Sequence, residues 1–174
     1  MRILYSLVAL LTLITFNANA YTHPKGLYVL EYPVNMPDKP IMSETGEISS
    51  ILNNTSDLTV MVFWSQSCYP CLKELKDLEK LYSKALKDNI KIMIISPSSE
   101  WKNLNEERLF LTKYKAPTIP FYNDIDNKLS LSLGIGSTPY TVIMDKNHKK
   151  VATIQGQVNW SADKLYKNIK NLIK

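Results

Sequence analysis

The central part of the chain alternates between continuous apolar runs and a segment whose apolar residues recur at helical spacing. Residues 58–64 are almost all apolar, β-branched or aromatic, which is typical of a strand buried on both faces of a sheet. Over residues 69–87, apolar positions recur every three or four residues with Lys, Glu and Asp between them, which predicts a helix. A second buried strand is predicted over 90–95. This order predicts a β-α-β unit with parallel strands.

Shorter elements with the same kinds of pattern follow in the second half of the chain. In chain order they are a helix over 104–114, a strand at 121–122, a short helix over 128–133, strands over 140–144 and 151–154, and a helix over 162–173. The turn over 145–149 predicts antiparallel pairing of the last two strands, and Ser161 is placed to cap the last helix. The predicted class is α/β, with a central mixed β-sheet flanked by helices.

The segment ahead of the first buried strand is less regular. Residues 21–39 contain several prolines, and only 27–32 alternate in the manner of a strand, so an irregular lead-in is predicted. From Pro40 two short alternating runs flank Thr45 and Gly46, which predicts a hairpin. We therefore expect a short β extension at the start of a main domain over 40–174.

The first twenty residues have the pattern of an export signal. Arg2 precedes an apolar run over 3–16, and Ala18 and Ala20 supply the small side chains that signal peptidase requires. The run is shorter than the ~20 residues that a membrane-spanning helix needs. The sequence predicts a signal peptide over 1–20 that is cleaved after Ala20, and an uncleaved membrane anchor remains the alternative. Under either interpretation, the rest of the chain is exported.

Composition and charge narrow the function classes only slightly. The 174 residues are 45% apolar, which suits one domain with its own core. The formal charge is +5, but the lysines are interspersed with acidic residues rather than gathered in one stripe. This distribution argues against a nucleic-acid partner.

The chemistry of the chain centres on its two cysteines, Cys68 and Cys71. A C-x-x-C pair is a redox dithiol, half of a zinc site or a haem attachment sequence. Haem attachment requires His directly after the second cysteine, where this chain has Leu72. Zinc requires further ligands, and the histidines are His23 near the start and His148 in a predicted turn. The redox dithiol is therefore favoured, with no metal or other cofactor.

The predicted elements give the two sulfurs different roles. Cys68 lies where a buried strand ends and a helix begins, so unpaired backbone N–H groups and the helix dipole stabilise its thiolate. This predicts that Cys68 is the nucleophile. Cys71, one turn later, is expected to be less exposed and to resolve the mixed disulfide that Cys68 forms.

Two motifs resemble the thioredoxin superfamily, and more closely its TlpA and ResA branch of exported bacterial oxidoreductases. Residues 62–71 (VFWSQSCYPC) are similar to the strand, tryptophan and active-site motif of that family. Residues 137–146 (STPYTVIMDK) are similar to its Thr-Pro followed by a strand and an Asp-containing turn. The resemblance extends from about Pro40 to the end of the chain, including 156–160 (GQVNW). It implies a thioredoxin fold.

The resemblance also implies roles for three further residues. Pro139 corresponds to a proline that is cis in relatives, where it brings the backbone of Thr138 beside the disulfide. There the Thr138 backbone pairs with an extended substrate chain. Trp64 flanks the site, and packing is its favoured role over chemistry. Thr138, Pro139 and Trp64 are thus the predicted substrate-binding residues.

Two positions depart from the family pattern. Many thioredoxins have a buried Asp two residues before the tryptophan, where this chain has Val62, and a tryptophan before the first cysteine, where it has Ser67. The proton acceptor for Cys71 must therefore be water or another acid. Glu100 and Glu106 are candidates, although solvation of the surface is the favoured interpretation of both.

The resemblance implies a periplasmic dithiol reductant of protein disulfides, in apocytochrome c or in the copper-site proteins of respiratory oxidase assembly. Its electrons are expected from a membrane thiol relay, and Pro70 matches reducing members of the family. One alternative is an oxidase or isomerase of secreted proteins, although no dimerisation domain is visible. Another is a copper chaperone or binding module on the same scaffold, although the cysteine spacing is one residue short and no suitable His follows.

Overall fold

Eight strands form one mixed sheet in the computed structural model of the chain, which describes residues 26–54 and 56–173. The strands are β1 (Gly26–Asn35), β2 (Pro40–Ser43), β3 (Ile48–Ser50), β4 (Leu58–Phe63), β5 (Ile90–Pro97), β6 (Phe121–Asp124), β7 (Tyr140–Asp145) and β8 (Lys149–Gln155). Their spatial order is β1-β8-β7-β4-β5-β6-β2-β3. β4 pairs parallel with β5 and antiparallel with β7. The predicted mixed sheet is confirmed. The predicted signal peptide lies outside the described residues.

The continuous apolar run of β4 is explained by burial on both faces of the sheet. Successive side chains of a strand point to opposite faces. Val60 and Val62 pack in one core cluster together with Leu75 of the first helix, whereas Met61 and Phe63 pack in a second cluster on the other face. All six residues of β4 are buried. Helices are therefore needed on both faces.

Four α-helices supply this cover in the described part of the chain: α1 (Tyr69–Ala85), α2 (Leu104–Lys113), α3 (Lys128–Ser132) and α4 (Asp163–Lys170). Each corresponds to a predicted helix, with ends that differ by a few residues. The predicted cap by Ser161 is wrong. Ala162 is the N-cap of α4, and both the amide and the hydroxyl of Ser161 donate to Asn159 Oδ1 at 3.0 Å. No helix among the described residues is long and apolar enough to span a bilayer.

The structure corrects the irregular lead-in predicted over 21–39. Gly26–Asn35 forms β1, a ten-residue edge strand that pairs antiparallel with β8. Between Val29 and Val34 the register shifts, and this bulge contains Pro33. The alternation that suggests a strand over 27–32 ends in this bulge, which accommodates a proline that has no N–H to donate.

The predicted hairpin from Pro40 is confirmed. β2 pairs antiparallel with β3, and Gly46 has a positive φ of 85° in the turn between them. That backbone conformation suits glycine because it has no Cβ. β2 also pairs with β6, so the hairpin forms one edge of the main sheet.

Candidate active site

Cys68 and Cys71 are joined by a disulfide at the amino terminus of α1, with a Cα–Cα distance of 5.2 Å. Cys68 is the N-cap residue, and its Sγ accepts a hydrogen bond of 3.3 Å from the Cys71 amide. Pro70 lies in the first turn, where its missing N–H removes no helical hydrogen bond. The predicted strand-to-helix junction is therefore present. In the first turn the Cys71 amide bonds the Cys68 sulfur, and the Leu72 amide donates to the Cys68 carbonyl at 3.1 Å.

The two cysteines differ in exposure. Cys68 is half-buried, whereas Cys71 is 2% exposed and packs in the core cluster with Leu75. An incoming sulfur atom can therefore reach Cys68 but not Cys71. This difference in access gives a physical reason for separate roles of the two thiols.

The loop before β7 lies at the same end of the sheet as the disulfide. Phe63, the last residue of β4, pairs with Tyr140, the first residue of β7. The peptide bond between Thr138 and Pro139 in that loop is cis, as the resemblance implies. A hydrogen bond holds Pro139 to the residue that follows β8, because the Pro139 carbonyl accepts from the Gly156 amide at 2.9 Å. The topology thus places the predicted substrate-binding loop at the end of the sheet that carries the disulfide.

Trp64 packs at this end of the sheet with little exposed surface. It is 1% exposed, and its ring lies 5.8 Å from Trp101 and 6.0 Å from Phe110, measured between centroids. It also lines, with Thr138, a cavity of about 330 Å³. These contacts support a packing role for Trp64, and direct contact with a substrate stays a prediction.

The structure adds Glu74, a functional candidate that the sequence analysis did not identify. Glu74 lies on α1 three residues after Cys71, so both side chains share one helix face, with their Cβ atoms about 5–6 Å apart. Its side chain is buried at 3% exposure, and Oε1 accepts a hydrogen bond from the Val158 amide. An acidic residue on the apolar stripe of a helix was the signal available in the sequence.

Burial controls the protonation of this carboxyl group. Desolvation raises the pKa of Glu74 from 4.5 to about 7, although the hydrogen bond from Val158 opposes the increase. The indole N–H of Trp160 lies near enough to lower the pKa further, although it forms no hydrogen bond of normal geometry. A carboxyl group with this pKa can exchange a proton at neutral pH.

The two acids that the sequence offered as proton acceptors both accept hydrogen bonds from other groups. Both oxygens of Glu100 accept hydrogen bonds from the loop ahead of Cys68, so surface solvation does not describe its role. Glu106, in the first turn of α2, accepts a hydrogen bond of 2.8 Å from the Lys102 amide just before that helix. Val62, at the position of the missing Asp, is a core residue of β4 with 1% exposure. Glu74 is therefore the best-placed carboxyl group for Cys71.

The mixed sheet, the helix-capping disulfide and the cis-proline loop together define a thioredoxin fold with a disulfide at its reactive end. A family model described as Thioredoxin-like matches residues 56–150, which is more than half of the chain. The chain belongs to the thioredoxin-like family.

Three comparisons show how far the similarity extends. Thioredoxin-like protein YneN of Bacillus subtilis is 29% identical over 111 residues, 63% of this chain and 63% of YneN. Thiol-disulfide oxidoreductase ResA of Geobacillus thermodenitrificans is 28% identical over 97 residues, 54% of this chain and 52% of ResA. The chain thus spans less than two thirds of either curated relative. The crystal structure of a putative thiol:disulfide interchange protein DsbE from Chlorobium tepidum covers 83% of this chain and 99% of its own, with a TM-score of 0.69 and 16% identity, which supports the fold.

Proposed function

We propose that the protein is an exported thiol:disulfide oxidoreductase that reduces protein disulfides. The observation that carries the proposal is the half-buried Cys68 at the amino terminus of α1, joined to a buried Cys71. The partial similarity to ResA, a thiol-disulfide oxidoreductase by name, supports the same activity. Nothing in this mechanism requires a cofactor, because the two thiols carry both electrons.

The reaction starts from the reduced dithiol. The Cys68 thiolate attacks one sulfur of a substrate disulfide, forms a mixed disulfide and expels the other substrate sulfur as a thiolate. Cys71 then loses its proton and attacks the Cys68 sulfur, which breaks the mixed disulfide and releases the second substrate thiolate. The substrate gains two electrons and two protons, and the Cys68–Cys71 disulfide observed in the structure is formed.

Residues around the disulfide assist these two steps. We expect the backbone of Thr138 to pair with an extended segment of the substrate, and the cis bond to Pro139 supports this role. Glu74 accepts the proton of Cys71 in the second step, because it is the buried acid on the same helix face and its pKa is about 7. Trp64 supports the site by packing against Trp101 and Phe110.

The physiological setting belongs to the same proposal. The predicted export signal supports action in the bacterial periplasm. The resemblance to TlpA and ResA proteins supports substrates in cytochrome c maturation or respiratory copper-site assembly, and a membrane thiol relay as electron donor. A copper-binding role receives no support from His148, which lies in the β7–β8 turn, at the opposite end of β7 from Pro139.

Because the proposed enzyme donates electrons to its substrates, we expect a low reduction potential for the cysteine pair. We expect equilibration with glutathione to give a value near that of thioredoxin, about −270 mV. Mass spectrometry after alkylation of the free thiols measures the reduced fraction at each glutathione ratio. A value near that of the oxidant DsbA, about −120 mV, would instead support an oxidase of secreted proteins and overturn the reductant assignment.

A further inference from the structure

The loop over residues 65–67, between β4 and α1, is tied to the loop that follows β5 by a single acidic residue. Glu100 Oε1 accepts a hydrogen bond of 2.6 Å from Ser65 Oγ, and Oε2 accepts one of 2.8 Å from the Gln66 amide. In return, the Gln66 side chain donates to the Glu100 carbonyl at 2.8 Å. The Oγ atoms of Ser65 and Ser67 lie 2.9 Å apart. The residues directly before Cys68 are thus held by one carboxylate.

The turn that carries Glu100 is itself anchored in the protein interior. Trp101 donates its indole N–H to Ser96 Oγ at 2.9 Å, and Ser96 Oγ donates to the fully buried Glu107 at 2.7 Å. The Trp101 ring also packs against Trp64. The Glu100 backbone is therefore held in place before the reaction rather than recruited during it.

We propose that Glu100 is a positioning residue for the reaction: its carboxylate fixes the loop that presents Cys68, and its negative charge disfavours the Cys68 thiolate. The relevance of this inference to catalysis rests on the proposed function. The two effects of Glu100, on the loop and on the Cys68 thiolate, are properties of the reduced protein alone. Nothing in the family comparison assigns a role to Glu100.

The electrostatic effect follows from where the charge is held. The helix amino terminus stabilises a thiolate at Cys68, whereas a carboxylate bound to the preceding loop acts against it. Other titratable groups on the surrounding elements include Lys73, whose ammonium lies 4.3 Å from the centroid of the Tyr69 ring, and the buried Glu74. The buried Glu107 on α2 also interacts with Glu100: burial, and to a smaller extent the charge of Glu100, raise the pKa of Glu107 to about 7. A less stabilised thiolate makes the reduced form less stable, and the dithiol is then a stronger reductant. Glu100 thereby favours the reducing direction.

The first test is a thiolate titration of Glu100→Gln, made in a Cys71→Ser background so that Cys68 is the sole thiol. Glutamine retains an acceptor for the Gln66 amide, and its NH₂ group can donate to the Ser65 hydroxyl. We expect the titration midpoint, followed by absorbance at 240 nm, to fall by roughly half a pH unit. Below the midpoint, the thiolate fraction rises about threefold.

Glu106→Gln is the matched control, because it removes one negative charge from α2, where Glu106 accepts a hydrogen bond from the Lys102 amide and, among the described residues, none from the loop before Cys68. We expect its midpoint to move by less than half as much. An equal shift in the two variants, or no shift in Glu100→Gln, overturns the electrostatic part of the proposal.

A second measurement addresses the position of the loop. Glu100→Ala removes the acceptor of the Gln66 amide, so we expect hydrogen exchange at that amide to accelerate by at least about tenfold. Unchanged exchange overturns the positioning role. Neither measurement uses a substrate, so failure of the wild type to reduce insulin refutes the proposed function separately from this inference.

Discussion

Cys68→Ser is expected to slow the reduction of insulin disulfides by at least about a hundredfold, because a serine hydroxyl at this position supplies no thiolate nucleophile. The first sulfur exchange needs an accessible sulfur, and the remaining cysteine, Cys71, is 2% exposed. The measurement is the initial rate of insulin reduction with reduced protein and an excess of dithiothreitol, compared with dithiothreitol alone.

Tyr69→Phe is a suitable matched control, since Tyr69 is the exposed neighbour of Cys68 and its hydroxyl has no part in the mechanism. It should retain activity within about twofold. A Cys68→Ser variant as active as this control would refute nucleophilic attack by Cys68.

Glu74→Gln is expected to slow the resolving step by about a hundredfold, the usual order of a general-base contribution. In the wild type this step should accelerate as pH rises through about 7, because Glu74 then becomes the base that accepts the Cys71 proton. Glutamine cannot accept that proton, so the corresponding rise in the pH profile should disappear. The measurement is the rate at which a preformed mixed disulfide on Cys68 releases its small thiol.

Asp77→Asn provides the control on the same helix, because Asp77 is a surface carboxylate bonded to Lys80. Loss of folding is not expected to explain a slow resolving step in Glu74→Gln. Burial raises the pKa of Glu74 from 4.5 to about 7, so the unfolded chain loses this proton at a lower pH than the folded chain does, and the folded state loses stability as pH rises from about 4.5 to about 7. The neutral glutamine avoids that cost. Equal rates and pH profiles in the two variants would rule out Glu74 as proton acceptor.

The reactive end of the molecule is predictable from sequence because its signals are local. A strand buried on both faces has to be continuously apolar, and α1 shows its buried stripe as a repeat of leucines. The junction between them therefore locates Cys68 without knowledge of distant contacts. The role of the Thr138–Pro139 loop, by contrast, was predicted from the resemblance to the thioredoxin superfamily.

The roles that sequence analysis missed or misjudged depend on contacts between distant segments. Glu74 is defined by its burial against Val158, 84 residues away in the chain. Glu100 is defined by its bonds to a loop about 35 residues earlier. The β1 strand was predicted only in part, over 27–32, because the bulge around Pro33 removes the alternation on which strand prediction depends.

The order in which the two sulfurs react is tested most directly by trapping mixed disulfides with the two single variants. Reduced Cys71→Ser, mixed with oxidised insulin, should accumulate a covalent adduct through Cys68, because the resolving thiol is absent. Reduced Cys68→Ser should form little adduct under the same conditions, since Cys71 is buried. Intact-mass and peptide mapping measure both. Adduct formation through Cys71 in Cys68→Ser, with none through Cys68 in Cys71→Ser, would contradict the assigned roles.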